Sequence, residues 1–410
     1  MNNNRTVLIL ILGLLSAIGP FSIDTYLSGF PSIATDLNVT VDNVSYSLAS
    51  FFIGISLGQM LYGPLLDRFG RKKPLMIGLV IYFLASAGCA VATSIEMLIV
   101  LRFLQALGGC VGMVAPRAIV RDSFPVHESA KIFSTLILIL GVSPIIAPTV
   151  GSYMITAFGW HSVFWLQSSL GVLLFLAVIF LLDESRKGDK TMSLRPKPIT
   201  KTFWGVFKNP QFFTYSLAGS LVAGGVYAYI SGSPFVFMKL YHVNEQQYGW
   251  IFGFLAGGLI LSSQLNNLAL RKYNSEQIIR VTITTQTIIG LVLCAASFFN
   301  LLTLPSAIVL IFLFLCCQGF SFPNASALTL APFSKEAGSA SALMGAIQMG
   351  LGALAAALVG LLSNGTSLPM TGVMAGFALL GFVIFSVGRT FIVKDNLETP
   401  ESSLVEVREI

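Results

Sequence analysis

The chain is 410 residues long, 55% hydrophobic and 10% charged, with a formal net charge of +6. Soluble globular chains carry about 25% charged residues, and so thin a charged shell cannot cover this much apolar side chain in water. A mean hydropathy of +0.81 therefore excludes a water-soluble protein and leaves a polytopic membrane protein, with the lipid bilayer as first partner and no nucleic acid expected. The five cysteines sit in apolar stretches and the three histidines lack ligand spacing, so neither a disulfide framework nor a metal site is expected. No cofactor is expected either.

A membrane-crossing helix needs about 20 mainly apolar residues. The chain offers twelve: 7–35, 44–65, 74–93, 96–118, 131–156 and 160–182, then 211–237, 247–269, 278–300, 304–330, 339–362 and 369–392. The first follows a short basic lead with Arg5, but its apolar run continues too far for a cleaved leader, so it reads as a retained span. Residues 183–210 hold seven Lys/Arg and three Asp/Glu and read as a solvated linker. The expected organisation is an all-α membrane protein with a six-helix bundle over 1–182, this linker, a second bundle over 211–393 and a tail over 394–410. Basic residues cluster in alternate loops: Arg68, Arg71, Lys72, Lys73, Arg121, Lys131, Arg271, Lys272, Arg280 and Lys335 on one side, only Lys239 on the other. The positive side faces the cytoplasm, so both termini are expected there, in a cytoplasmic (inner) membrane. The two halves echo each other: Gln59 and Gln264 each precede a basic loop, and Ser129-Ala130 matches Ser339-Ala340. Parallel six-helix repeats are a transporter plan with the site near the midplane.

Span 1 carries Asp24, after Pro20, in Ser22-Ile-Asp24-Thr25-Tyr26. It is the one carboxylate placed well inside the membrane, where ionisable groups are costly and mark ion or proton paths. A helix-end cap or a static ion pair are the competing readings.

Between spans 2 and 3 stands Gly63-Pro-Leu-Leu-Asp67-Arg68-Phe-Gly70-Arg71-Lys72-Lys73. A topological loop needs the basic residues but not the acid fixed between glycines. The string resembles the signature loop of the major facilitator superfamily, G-x-L-x-D-R-x-G-R-K. The resemblance implies that Asp67 faces the start of span 11 at Gly338-Ser339, that Arg71 pairs with Asp122 at the inner end of span 4, and that the loop latches the inner side closed.

Span 4 contains Arg102-Phe-Leu-Gln105, with Gly109, Met113 and Pro116 following on one face. The family has R-x-x-Q-G here, and Ala106 replaces the glycine. An arginine this deep faces a cavity or partner, or snorkels to the outer headgroups. Asp24 and Arg102 both fall in the outer half of the bilayer and are expected to approach each other across a cavity as the proton-coupling pair. Span 5 holds Pro144, Pro148 and Gly151 among small residues. This resembles the antiporter motif G-x-x-x-G-P-x-x-G-G of drug:proton antiporters, with Ser143, Ala147 and Ser152 in place of glycines; a kinked packing helix is the alternative. Ser22 to Asp36, Arg121-Asp122 and Trp160-His161 resemble the bicyclomycin/chloramphenicol-resistance branch, with Ser28-Gly29 where a proline is expected.

The second half is poor in charge. Tyr26, Gln105 and Met113 with Tyr227, Tyr229, Gln318 and Asn324 are the candidate cavity residues, since aromatic walls with scattered amides suit small apolar ligands. The resemblance implies a secondary transporter exporting drugs in exchange for protons and acting as a monomer. A selective transporter of an amino acid or sugar is the alternative, and a membrane enzyme a remote one. No nucleotide-binding P-loop is present.

Overall fold

The computed structural model describes residues 2–189, 196–333 and 337–398. Within them lie twelve helices long and apolar enough to cross a membrane. Spans 1 to 6 are Arg5–Asp36, Val41–Phe69, Lys72–Ala90, Ile95–Ser123, Leu138–Phe158 and His161–Leu181. Spans 7 to 12 are Pro210–Leu240, Glu245–Ala269, Ser275–Phe298, Leu304–Leu330, Gly338–Leu361 and Leu368–Ile392. Lys335 and residues 399–410 lie outside the described residues, while the helix of span 12 runs on to Glu398, into the stretch expected as tail.

Helix starts follow local chemistry. Thr40 and Ser94 accept hydrogen bonds from Asn43 and Met97 N–H groups at the heads of spans 2 and 4. Asn244 with Gln247 and Asn274 with Gln277 form reciprocal caps at spans 8 and 9. Spans 2 and 5 stop at Gly70 and Gly159, whose φ of +86° and +78° other residues resist. The outer faces are apolar, with Phe180 77% and Leu173 64% exposed, a surface suited to lipid rather than water.

Two seams join the halves. Span 2 lies along span 11, where Ser56 Oγ donates to the Ala346 carbonyl at 2.8 Å and Gly345 leaves just enough room for the Gln59 amide. Span 5 lies along span 8, with Gly249 against Ser152 and the Pro148 carbonyl. Small residues are what let helices approach this closely in lipid.

Three spans are interrupted, span 4 only by a turn at Cys110 between Ile95–Gly109 and Val111–Ser123. The α-helix of span 1 ends at Asp24, a tight turn over Leu27–Gly29 follows, and a short helix runs Phe30–Asp36. Span 7 leaves the α-helix after Ser233 for a widened π turn over Pro234–Leu240. The breaks in spans 1 and 7 share sequence at a constant offset: Ser28-Gly29-Phe30-Pro31 against Ser231-Gly232-Ser233-Pro234, with Tyr26 matching Tyr229.

The expectation of a purely solvated linker over 183–210 needs correction. Its first residues bond to the loop between spans 2 and 3, and Pro196–Phe207 is a helix. Phe203 and Val206 are buried, Val206 against Phe212 and Ala340. Their i, i+3 spacing makes an apolar stripe that counting charges over the whole stretch conceals.

Candidate functional site

The break in span 1 creates the site. Beyond Asp24 the Ser22 carbonyl serves side chains, accepting from Arg102 Nη1 at 3.1 Å and from Gln167 Nε2 at 3.4 Å. Ser22 Oγ shares a hydrogen bond with the Tyr82 hydroxyl at 2.7 Å, and Thr25 Oγ1 accepts from Gln167 Nε2 at 2.8 Å. The backbone at Thr25 also touches span 5, because any Cβ on Gly151 would lie 1.8 Å from the Thr25 carbonyl oxygen. Gly151 thus presses the bend into place, while Pro148 is buried beside it and Pro144 half-buried within an uninterrupted helix.

Asp24 stands apart from this network. Its residue is 5% exposed, and among the described residues it makes no ion pair and no hydrogen bond. Its charge acts instead on the phenols of Tyr227 and Tyr229 in span 7 and Tyr248 in span 8. These phenols of the second half are therefore its neighbours across the junction.

Arg102 is fully buried, which excludes snorkelling. Its guanidinium carbon lies 4.1 Å from the ring centres of both Tyr26 and Phe51 and 5.7 Å from that of Phe164. Three faces of π density offset part of the cost of a charge removed from water. Nη1 also donates to Gln105 Oε1 at 2.7 Å, whose Nε2 donates to Ser86 Oγ and Gln167 Oε1 at 2.7 Å each. Nε and Nη2 have no partner. The expected approach of Asp24 and Arg102 is not realised as an ion pair among the described residues: an aromatic cage and carbonyl oxygens surround the arginine. Sequence spacing places both at one depth but does not reveal the helix break after Asp24.

The cavity candidates divide similarly. Tyr26 (1% exposed) stacks on Arg102 and shares a hydrogen bond with Ser47 at 3.2 Å, and Gln105 is sealed inside the first bundle. Gln318 accepts from Gln286 at 3.3 Å in the seam of spans 9 and 10. Asn324 donates to Asn266 at 2.7 Å in the seam of spans 8 and 10. These four hold helices together instead of lining a cavity, because an amide in lipid finds a neighbouring helix first. Tyr227, half-buried, meets Phe52 edge-on at 4.8 Å and approaches Gln348 at 3.5 Å. Tyr229 is buried, stacked on Phe252, with an unpartnered hydroxyl. Met113 packs over Gly19 of span 1.

At the loop between spans 2 and 3 Arg71, 1% exposed, joins Asp122 Oδ2 through Nε and Asp67 Oδ1 through Nη1, both at 2.7 Å. Burial alone would loosen the arginine's proton, but the hydrogen bonds and charges of Asp122 and Asp67 outweigh it and hold the guanidinium above its ordinary range. Among the described residues no hydrogen bond joins Asp67 to Gly338 or Ser339. Instead the carbonyl of Asp67 accepts from the Asp189 N–H at 3.0 Å. Glu184 Oε1 accepts from the Arg71 N–H at 2.6 Å, and both its carboxylate oxygens accept from the Lys72 N–H. A carboxylate at a helix N-terminus is favoured, so Glu184 caps span 3. Gly70 allows this, since a Cβ there would lie 2.8 Å from Glu184 Oε2. Gly63 faces open space, and Arg68 stacks against Phe69 at 5.8 Å.

Reading the sequence alone missed Phe51, Phe164 and Gln167 around Arg102, Tyr248 opposite Asp24, and Glu184. Hydrophobic spans give no signal that marks one phenylalanine as a cation's wall. It also passed over Arg117 in span 4, although its spacing from Arg121 was visible.

Residues 11–357 match the sequence profile of the Major Facilitator Superfamily. The chain is 33% identical over 383 residues to the uncharacterized MFS-type transporter YdgK of Bacillus subtilis (strain 168), covering 93% of this chain and 95% of that protein. It is 30% identical to a bicyclomycin resistance protein homolog of Haemophilus influenzae, covering 94% and 97%. To the multidrug resistance protein MdtL of Escherichia coli O45:K1 it is 30% identical, covering 80% and 82%. Among solved structures, a bacterial homolog of the human lysosomal transporter Spinster aligns with a TM-score of 0.75 at 15% identity, covering 95% and 98%. A D-xylose-proton symporter aligns at 0.70 and 14%, covering 93% and 97%. With twelve spans, this profile and these relatives, the chain is a multi-pass transporter and not an enzyme, and it belongs to the Major Facilitator Superfamily.

Proposed function

We propose that the protein is a proton-coupled exporter of small, largely apolar drugs, working by alternating access in the cytoplasmic membrane as a monomer with both termini inside. Its six-helix halves span 1–182 and 211–393. The names of the Haemophilus and Escherichia relatives support the drug class. The proton coupling rests on one observation above others: Asp24 is an acid buried at the junction of the halves with no cation among the described residues to neutralise it. A buried carboxylate is costly, so this arrangement favours a proton on Asp24.

Loss of that proton leaves an anion facing Tyr227, Tyr229 and Tyr248, none of which carries positive charge. The nearest unused donors are Nε and Nη2 of Arg102. For the carboxylate to reach them the bend after Asp24 must turn, and the bend is braced by Gly151 of span 5, itself packed on span 8. Proton occupancy thus biases the helix break, and the break biases how the halves meet. Arg71 with Asp67 and Asp122 holds the inner loop during this exchange.

Purified protein in liposomes with an imposed pH gradient tests the reading. Asp24→Asn is expected to abolish gradient-driven drug flux while preserving drug binding. Undiminished flux in that variant would remove Asp24 from the mechanism.

A further inference from the structure

Span 4 carries two more arginines, Arg117 and Arg121, one helical turn apart on one side of the helix. Both are exposed to solvent, and neither has an ion pair or hydrogen bond among the described residues. Like charges at i, i+4 repel, so the pair is not there for helix stability. Arg121 at the span's end fits the rule for cytoplasmic loops. Arg117 lies about 6 Å deeper, where that rule asks for nothing.

Arg117 does not face lipid. Its place on the helix falls between Cys110, which packs on Gly58 of span 2, and Met113, which packs on Gly19 of span 1. Its near titratable neighbour is the neutral thiol of Cys110, and among the described residues no carboxylate approaches it in the same way. The nearby acid, Asp122, is already engaged by Arg71. Side chains on a helix lean toward its N-terminus, which in span 4 is the outer end, so the guanidinium leans inward from the mouth rather than toward the headgroups. It is an accessible cation beside protein, with five donors and no acceptor supplied among the described residues.

We infer that Arg117, backed by Arg121, is an anion-recognition site in the inner vestibule that selects solutes bearing a carboxylate or similar group on an apolar body. The inference builds on the exporter reading and adds charge selection to it. A planar guanidinium matches a carboxylate bidentately, and a positive vestibule repels organic cations. Solutes would meet Arg117 before they reach the aromatic surfaces near Asp24.

The test uses the purified full chain in neutral detergent, titrated with 2-naphthoate and with its neutral counterpart 2-naphthamide. Wild type is expected to bind the anion about tenfold more tightly than the amide, the scale of one charge-assisted hydrogen bond. Arg117→Ala should erase that preference, Arg117→Lys keep part of it and Arg121→Ala reduce it, all with unchanged affinity for the amide, which reports an intact fold. Equal affinities in wild type, or an unchanged preference in Arg117→Ala, would overturn the inference. Repeating the titration in nanodiscs separates solute from lipid. Binding that survives in phosphatidylcholine but is lost in phosphatidylglycerol would give the site to anionic headgroups and overturn solute selection. The binding assay needs no gradient, so a preference carried by Arg117 without gradient-driven flux would leave this site standing and refute proton coupling alone.

Discussion

The helix breaks in spans 1 and 7 use one scaffold for different chemistry. Around Ser28-Gly29-Phe30-Pro31 the first half buries Asp24 and Arg102; around Ser231-Gly232-Ser233-Pro234 the second places Tyr227 at the position matching Asp24 and nothing charged of its own among the buried described residues. Among the described residues, every buried polar side chain from Thr214 onward is a serine, threonine, asparagine or glutamine. The first half buries ionisable side chains, and the second meets them with neutral aromatic surface. Ionisable groups buried in only one half make the junction asymmetric, which is what the proposed coupling would exploit.

The sharpest way to break this comparison is to exchange its terms. Asp24→Asn should abolish gradient-driven flux, whereas Tyr227→Phe at the matching position should cost at most a few-fold, within about 1 kcal/mol. Equal losses in the liposome assay would show that the halves share the coupling. Next in size, Arg71→Ala leaves Asp67 and Asp122 uncompensated and should destabilise the protein by about 3–5 kcal/mol, read from thermal unfolding in detergent. A loss under about 1 kcal/mol would make the loop a surface feature. Arg102→Met removes a buried charge that no acid neutralises. Its unfolding midpoint should rise, by up to about 1–4 kcal/mol in stability, while flux is lost; a falling midpoint would mean that the cage stabilises the cation outright. The smallest effect belongs to the second half, where Asn324→Ala should cost about 0.6 kcal/mol by deleting its bond to Asn266.

The twelve spans were legible because hydrophobic length alone selects a membrane helix, and the loop string from Gly63 to Lys73 was legible because its acid has no topological purpose. The site's residues were legible as outliers: Asp24 and Arg102 are charges where charge is costly. Their relation was not. Whether two such groups meet depends on where span 1 stops being an α-helix, and that is set by contacts far away in sequence, such as Gly151 on Thr25 and Gln167 on the Ser22 carbonyl. Gln318 and Asn324 looked like cavity amides for the same reason, since composition gives polarity without direction. The buried stripe of Phe203 and Val206 was hidden by the lysines around it.

The bonds from Glu184 and Asp189 to the loop between spans 2 and 3 close the first half into a ring: the chain that leaves span 6 returns to the start of span 3 before it departs for the second half. Tension on the connecting segment is therefore taken up by backbone amides of the signature loop, not by span 6. A polypeptide divided just after Asp189 keeps its first half buckled, and one divided before Glu184 releases the buckle and leaves the amides of Arg71 and Lys72 without their acceptor. The connector is thus also a fastening of the domain that it leaves.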